Sequence, residues 1–164
     1  MNRNGKSSAP IIALLLALGG LQPAPSHAEP DAGTARGRYL VQIGGCNDCH
    51  TPGYLLAEGK VPEALWLTGS DFGWRGPWGT TYATNLRNRL QEFSQDQWLD
   101  YARQLHARPP MPWFMLNQMK TEDLAAIYAY VRHLGPAGTA APAYLPPDVE
   151  PPPPYASFPP PPPQ

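Results

Sequence analysis

Three segments of the chain have apolar residues at intervals of three and four, the spacing that places side chains along one face of an α-helix. The apolar positions are Ala32, Ala35, Tyr39, Leu40 and Ile43 in the first segment, Trp98, Tyr101, Ala102 and Leu105 in the second, and Leu124, Ile127, Tyr128, Val131 and Leu134 in the third. No segment shows the alternation of strands and helices that builds a parallel sheet. The pattern therefore predicts a small all-α fold with three main helices.

Local signals mark the ends of these helices. Two glycines at positions 44 and 45 end the first helix. Ser94 and Gln97 have the spacing of a capping box at the start of the second helix. Thr121 is placed to cap the third helix, and the Gly-Pro pair at 135–136 ends it.

Two regions lack a sustained helical period. Residues 51–90 are rich in Gly, Trp and Pro and are predicted to form a loop with short helical turns. Residues 141–164 read "APAYLPPDVEPPPPYASFPPPPPQ". Proline fixes φ and lacks an N–H, so this stretch is expected to be extended and to form neither helix nor central strand. We therefore divide the mature chain into a folded domain, residues 29–136, and an extended or disordered Pro-rich tail, residues 137–164.

The N-terminus has the pattern of an export signal. Arg3 and Lys6 precede a short apolar run at residues 11–18, and Ser-His-Ala at 26–28 supplies small residues for cleavage. The apolar run is shorter than the about 20 residues that a membrane-spanning helix needs, which argues against an anchor. Residues 1–28 are thus predicted to be a cleaved signal peptide, and the mature protein is expected in a bacterial periplasm without a membrane span.

Composition and charge reduce the number of functions that are possible for this chain. The formal net charge is −1 for the whole chain. Loss of residues 1–28 removes two basic residues and no acidic one, which leaves −3. This weak acidic excess argues against nucleic-acid binding, which needs clustered Lys and Arg. The folded part is small enough to have a thin apolar core, and a large buried prosthetic group would add to it.

Both cysteines of the chain lie in "GGCNDCHTPG", where Cys46 and Cys49 are followed directly by His50. A redox-active dithiol of the thioredoxin type would follow a strand within a βαβ pattern, but this pair follows a helix. A structural zinc site needs four ligands, and the remaining mature histidines, His106 and His133, lack paired spacing. A plain disulfide gives no reason for His50.

Covalent haem attachment accounts for all three residues. Each thiol can add to a vinyl group of the porphyrin, and the adjacent imidazole can bind the iron. Cys-x-x-Cys-His in an exported chain is a strong signal for this chemistry. We therefore expect one covalently bound haem c.

From residue 33 to residue 136 the chain resembles class I c-type cytochromes, which carry a helix, Cys-x-x-Cys-His, a long loop, an axial methionine and a C-terminal helix. It is most similar to cytochrome c domains and subunits of periplasmic dehydrogenases, on the segments "GTTYATNL", "MPWF" and "DLAAIYAYVRHLGP". It departs from many such subunits in having a single haem motif. The resemblance implies the small class I cytochrome c fold, with about three main helices and long loops around one haem.

The resemblance also implies an axial methionine before the last helix. Met111 has this position, and prolines on both sides restrict its backbone. We expect Met111 rather than Met115 or Met119 to be the distal iron ligand, opposite His50 on the proximal side. His106 is the competing ligand, as the second histidine of a bis-histidine site.

The resemblance also implies that the aromatic loop surrounds the propionate edge of the haem. Trp66, Trp74, Trp78 and Tyr82 could simply belong to the core, but buried indole N–H and phenol O–H groups need acceptors, which propionates provide. Arg75 is a candidate for charge assistance. The outer ring N–H of His50 should bond a backbone carbonyl, for which Pro62 is the candidate.

With both axial positions filled, the iron has no open site. We therefore predict a monohaem electron carrier, not an enzyme, that passes single electrons from a dehydrogenase to an oxidase or another cytochrome. Two alternatives stay open at this point. One is a haem enzyme or gas sensor with a displaceable sixth ligand, and the other is a dedicated electron-transfer subunit of a dehydrogenase complex.

Overall fold

The computed structural model describes residue 1 and residues 31–159, so nearly all of the predicted signal peptide lies outside the described residues, as do residues 160–164. The helices are α1 (Ala32–Ile43), α2 (Cys46–His50), α3 (Leu86–Arg89), α4 (Gln95–Gln104), α5 (Trp113–Asn117) and α6 (Thr121–Leu134). Two short 3-10 turns cover Glu63–Leu65 and Leu90–Glu92, and the strands are β1 (Gly73–Gly76), β2 (Gly79–Tyr82) and β3 (Tyr155–Ser157).

The three long helices α1, α4 and α6 confirm the predicted ones. The capping box of α4 is complete, because the Ser94 N–H donates to Gln97 Oε1 at 2.8 Å and the Gln97 N–H donates to Ser94 Oγ at 3.3 Å. The cap of α6 differs from the prediction: Lys120 is the N-cap, and Thr121 is the first helical residue. None of the helices in residues 31–159 combines the length and apolar character needed to cross a bilayer.

Helices α1 and α6 pack closely against each other at Gly37. A Cβ atom added at Gly37 would lie 2.0 Å from the Ala126 carbonyl oxygen and 2.7 Å from Tyr130 Cβ, so only glycine fits this approach. Around it lies one apolar cluster of buried residues, which α4 and two loops complete. Its main members are Leu40, Val41, Trp66, Leu67, Leu90, Trp98, Leu99, Ala102, Leu124, Ile127, Tyr130 and Val131. This core fixes the end of α1, from which α2 follows directly.

A three-stranded sheet in the order β2-β1-β3 corrects the all-α prediction, although the domain is mostly helical. Strands β1 and β2 form an antiparallel hairpin in which Trp74 pairs with Thr81 and Arg75 with Thr80. β3 lies parallel to β1 at the edge of the sheet. The strands were not predicted because they have three or four residues each, and β1 and β2 are rich in glycine.

The chain after residue 136 contacts the domain at several points. The Asn85 side-chain amide donates to the carbonyl oxygens of Ala137 at 2.7 Å and Thr139 at 3.0 Å. Leu145 and Thr80 form an isolated antiparallel bridge, and β3 adds to the hairpin between two proline runs. The Phe158 ring lies 5.5 Å from that of Trp78, between ring centroids. Residues 144–158 thus lie along the β1–β2 hairpin, and residues 137–139 contact Asn85, which follows it.

Candidate functional site

The two cysteines lie on one short helix directly after α1. Gly45 adopts a left-handed φ of 67°, which favours glycine and lets the chain turn into α2 at once. Cys46 and Cys49 are three residues apart in α2, so their thiols are neighbours on one helical face. Both are free and half-buried. Burial raises the pKa of the Cys46 thiol to about 11 and also raises the pKa of Cys49. A catalytic dithiol needs the opposite, a lowered pKa.

His50 ends α2 and is held by a backbone carbonyl. Its Nδ1 lies 2.6 Å from the Thr84 carbonyl oxygen. Because a carbonyl oxygen only accepts, Nδ1 carries the proton and Nε2 is the nitrogen left for a metal. Burial lowers the pKa of His50, although the hydrogen bond to Thr84 acts in the opposite direction. The lowered pKa favours the neutral imidazole, which is the form that binds metals. The predicted partner, Pro62, is therefore corrected to Thr84.

A buried hydrogen-bond chain supports the turn of the motif. The Thr51 hydroxyl donates to Asn47 Oδ1 at 2.7 Å and accepts from the Leu67 N–H at 2.8 Å. The Gly69 N–H donates to the His50 carbonyl at 2.8 Å. These bonds join α2 to residues 67–69, so the backbone around His50 is held from both sides. Sequence reasoning did not identify this support, since it depends on a residue sixteen positions away.

The three methionines between α4 and α6 differ in their surroundings. Met111 is half-buried in the loop between α4 and α5, where the Trp113 N–H donates to its carbonyl at 2.9 Å. Met115 is 59% exposed, and Met119 packs against the apolar core. Of the three, Met111 is the one that neither fills the core nor extends into solvent.

The segment from Thr81 to Thr84, which comprises the end of β2 and the two residues after it, connects the two halves of the candidate site. Its end holds His50 through the Thr84 carbonyl. Its start holds the Met111 loop, because the Thr81 hydroxyl donates to the Pro109 carbonyl at 2.9 Å. The structure thus links the predicted proximal and distal ligands through one backbone segment. That segment belongs to "GTTYATNL", in which the role of Thr84 went unrecognised.

Of the tryptophans in the aromatic loop, Trp74 stands apart. Trp66 Nε1–H donates to the Val61 carbonyl at 2.8 Å, and Trp78 Nε1–H donates to the Trp74 carbonyl at 3.3 Å. Trp74 Nε1 is buried and has no acceptor within the part of the chain that the structure describes. Because Trp74 pairs with Thr81 across the hairpin, it lies on the sheet face that contacts the Met111 loop.

The buried indole N–H of Trp74 bears on whether the residues of the site suit a haem. A buried donor without an acceptor is costly, so it indicates a missing partner. A carboxylate such as a haem propionate would satisfy it. The other side chains of the site also suit a haem. Two free thiols, an imidazole with Nε2 available and a thioether are the groups that hold a haem c. The residues of the site therefore fit this cofactor.

Two other candidates have different partners. Arg75 pairs with Glu150 at 2.7 Å and donates to the Val149 carbonyl at 3.2 Å, so its guanidinium is engaged with the C-terminal segment. Arg75 and Trp74 are successive residues of β1 and point to opposite faces of the sheet. His106 lies after the end of α4 and packs on Trp113, with 4.0 Å between ring centroids. Within residues 31–159, no group of three or more His, Cys, Asp or Glu side chains is placed to hold a metal ion.

Comparison with known proteins adds independent information. Residues 34–135 match the family described as Cytochrome c. A curated relative, the gluconate 2-dehydrogenase cytochrome c subunit of Pantoea cypripedii, is 29% identical over 134 residues. The match covers 75% of this chain but 28% of that protein, so the chain spans little more than a quarter of the length of its relative. Comparison with solved structures gave no significant match.

The family match covers more than half of the chain and runs from the third residue of α1 to the end of α6. Members of this family carry covalently attached haem c and transfer electrons, which agrees with the Cys-x-x-Cys-His turn and with the fit of the surrounding donors. The similarity to a dehydrogenase subunit also agrees with a redox protein that works with a partner. The chain therefore belongs to the cytochrome c family.

Proposed function

We propose that this chain is a monohaem electron carrier in which Cys46 and Cys49 form the thioethers, His50 is the proximal iron ligand and Met111 is the distal one. The observation that carries the proposal is the orientation of His50. Its Nδ1 is occupied by the Thr84 carbonyl, which leaves Nε2 available beside two free thiols. Addition of each S–H across a vinyl group forms a C–S bond without any oxidant.

The proposed ligands suit electron transfer better than catalysis. When bound, haem supplies a one-electron Fe(II)/Fe(III) couple. The neutral Met111 thioether favours the reduced state, and the Thr84 bond holds the His50 ring in one orientation. If His50 and Met111 both hold the iron, no open position would be left for oxygen or peroxide, which favours a carrier over a haem enzyme or a gas sensor.

We further propose a dehydrogenase as the electron donor and an oxidase or another cytochrome as the acceptor. This proposal is supported by the similarity to a gluconate 2-dehydrogenase cytochrome c subunit. The same similarity supports a second candidate function, that of a dedicated electron-transfer subunit of a dehydrogenase complex. We propose the periplasm as the location, because residues 1–28 have the sequence pattern of an export signal. Co-purification of the native protein with a dehydrogenase would separate a stable subunit from a freely diffusing carrier.

The ferric absorption spectrum tests the iron ligands. Wild-type protein should be low-spin and show the weak sulfur-to-iron charge-transfer band of His/Met ligation. Met111→Ala should lose this band and lower the reduction potential, because the thioether favours Fe(II). Met115→Ala is the matched control, since its exposed side chain should leave the spectrum unchanged. A band that survives in Met111→Ala and disappears in Met119→Ala would refute the choice of Met111. A low-spin wild-type spectrum without the band that turns high-spin in His106→Ala would assign His106 instead.

Acid-acetone extraction tests the covalent bonds. The Cys46→Ala and Cys49→Ala single variants should keep one thioether each, and the double variant should release its haem completely. Retention of haem by the double variant would overturn the assignment of both cysteines.

A further inference from the structure

The chain directly after α6 is joined to α3 by side-chain hydrogen bonds. Asn85 Nδ2 donates to the carbonyl oxygens of Ala137 at 2.7 Å and Thr139 at 3.0 Å. Asn88 Nδ2 donates to the Gly138 carbonyl oxygen at 3.4 Å. Gly138 has a left-handed φ of 70°, which favours glycine and lets the chain turn here. Three successive backbone carbonyls thus accept from the amides of two asparagine side chains.

Asn85 is the main anchor of this contact. It is 3% exposed, and as the N-cap of α3 its side-chain oxygen accepts from the Asn88 N–H at 3.0 Å. Its side-chain nitrogen donates to the two carbonyls after α6. Both ends of the Asn85 carboxamide are therefore bonded, and its position depends on residues 137–139.

Asn85 directly follows the residue that holds His50. The Thr84 carbonyl, which accepts from His50 Nδ1, and the Asn85 N–H belong to one planar peptide unit. An anchored Asn85 therefore limits the directions in which the Thr84 carbonyl can point. Gly69 packs on the same unit, since a Cβ atom added there would lie 2.8 Å from the Asn85 backbone nitrogen. The Gly69 N–H in turn donates to the His50 carbonyl, so the contacts form a closed path.

From these contacts we infer that Asn85 and residues 137–139 are positioning residues for His50, which act through the Thr84 carbonyl. Residues 137–139 lie beyond the part of the chain that matches the cytochrome c family, residues 34–135. The inference rests on the proposed function, since it requires His50 to be the proximal iron ligand. It gives the segment directly after α6 a role in setting the reduction potential.

The direction of the effect follows from the hydrogen bond of His50. A carbonyl held in place keeps the bond to Nδ1–H short, which makes the imidazole a more basic ligand. A more basic ligand stabilises Fe(III) relative to Fe(II), and hydrogen bonds of axial ligands are one way in which a protein sets the potential. Release of the Thr84 carbonyl should therefore raise the reduction potential.

The test uses the full-length haem protein and the variant Asn85→Ser. Serine keeps an oxygen that can cap α3, but it lacks the amide that donates to Ala137 and Thr139. NMR of the reduced protein measures the exchange of the His50 Nδ1–H with water. This proton should exchange about tenfold faster in the variant, the factor that corresponds to the loss of one hydrogen bond. The one-electron equilibrium should shift toward Fe(II) by about threefold, less than for loss of a direct partner of a metal-bound histidine.

Asn88→Ser is the matched control. It removes the other asparagine amide of the same contact, whose bond to the Gly138 carbonyl is 3.4 Å long, and it does not adjoin Thr84. The exchange rate of the His50 Nδ1–H and the potential should stay close to those of wild type. Unchanged exchange and potential in Asn85→Ser, or equal changes in Asn88→Ser, would overturn the inference.

Two truncations test residues 137–139 without a substitution, and they apply even if Asn85→Ser does not fold. Removal of the chain after Pro136 deletes the carbonyls of Ala137 and Thr139, whereas removal after Pro142 keeps them. Both truncations delete β3, so they differ only in residues 137–142. Faster exchange and a raised potential are expected in the shorter chain alone. Equal values in both truncated proteins would overturn the inference.

Failure of this inference and failure of the proposed function give different results. NMR of the oxidised wild-type protein should show the His50 ring signals strongly shifted by the iron. If these signals have ordinary positions, His50 is not the ligand and the proposed function is refuted. If they are shifted, but the exchange rate and the potential are the same in wild type and Asn85→Ser, only the positioning role is refuted.

Discussion

The α1–α6 helix pair and the β1–β2–β3 sheet show two ways in which this chain brings distant segments together. The helix pair buries apolar side chains, and Leu124 and Val131 have no exposed surface at all. The sheet relies on backbone pairing, half-buried aromatic rings and contacts to residues more than seventy positions away. The helix pair places the end of α1 and hence the cysteines, whereas β2 holds the Met111 loop and the residues directly after β2 hold His50. The candidate site thus depends on one region of each kind.

The largest expected effect is on the helix pair. Gly37→Ala puts a methyl group 2.0 Å from the Ala126 carbonyl oxygen, which forces α1 and α6 apart. We expect a loss of about 3 kcal/mol in the free energy of unfolding, at the upper end of overpacking effects. Urea denaturation of the haem protein measures it. Gly33→Ala, the same change near the exposed start of α1, should shift stability by less than about 1 kcal/mol. Equal losses in the two variants would mean that the close approach at Gly37 is not the cause, because the higher helix propensity of alanine should favour α1 at either position.

The helix pair was predictable from sequence, and the sheet was not, for physical reasons. Apolar periodicity and caps are local signals, so α1, α4 and α6 could be located from neighbouring residues. Strands of three or four residues have too few positions to show alternation, and the pairing of β3 with β1 joins residues that are far apart in the chain. The prediction of the hydrogen-bond partner of His50 was wrong for the same reason. Thr84 and Pro62 both have a backbone carbonyl, and only the tertiary fold determines which one lies near His50. Cys46, Cys49 and His50, in contrast, lie within five consecutive residues of the sequence.

Removal of the chain after Pro142 tests the sheet directly. It deletes β3, the Leu145 bridge and the Arg75–Glu150 pair. We expect a loss of about 2 kcal/mol, since a few hydrogen bonds of about 1 kcal/mol each are lost together with partly exposed rings. The haem spectrum should be unchanged, because all four proposed haem contacts precede residue 137. A lost spectrum would show that the tail belongs to the haem-binding unit and that the proposed boundary after Pro136 is wrong.

Trp74→Phe separates the packing of the Trp74 ring from the hydrogen bond that its N–H can donate. An aromatic ring that can contact Phe72 and Phe158 is kept, and the unpartnered N–H is lost together with part of the indole, as it also is in the control below. If a propionate accepts from Trp74, the haem protein should lose about 1.5 kcal/mol in thermal or urea unfolding, as for a hydrogen bond to a charged group. Trp78→Phe, which loses a long 3.3 Å bond to a carbonyl, is the matched control and should lose less. Unchanged or increased stability of Trp74→Phe would exclude an acceptor at this indole.

The smallest effect should come from the ion pairs, and here the two regions should behave alike. Glu150→Gln removes the charge that pairs with Arg75 at the sheet but leaves an oxygen that can accept from Tyr155. Asp123→Asn removes the charge that pairs with Arg36 across α1 and α6. One partner in each pair is at least half exposed, so each change should cost about 0.5 kcal/mol or less. Urea unfolding at low and high salt measures both, and the loss should shrink in high salt because exposed charges are screened. A loss of several kcal/mol for Glu150→Gln alone, insensitive to salt, would show that the sheet depends on this ion pair and not on backbone pairing and ring contacts.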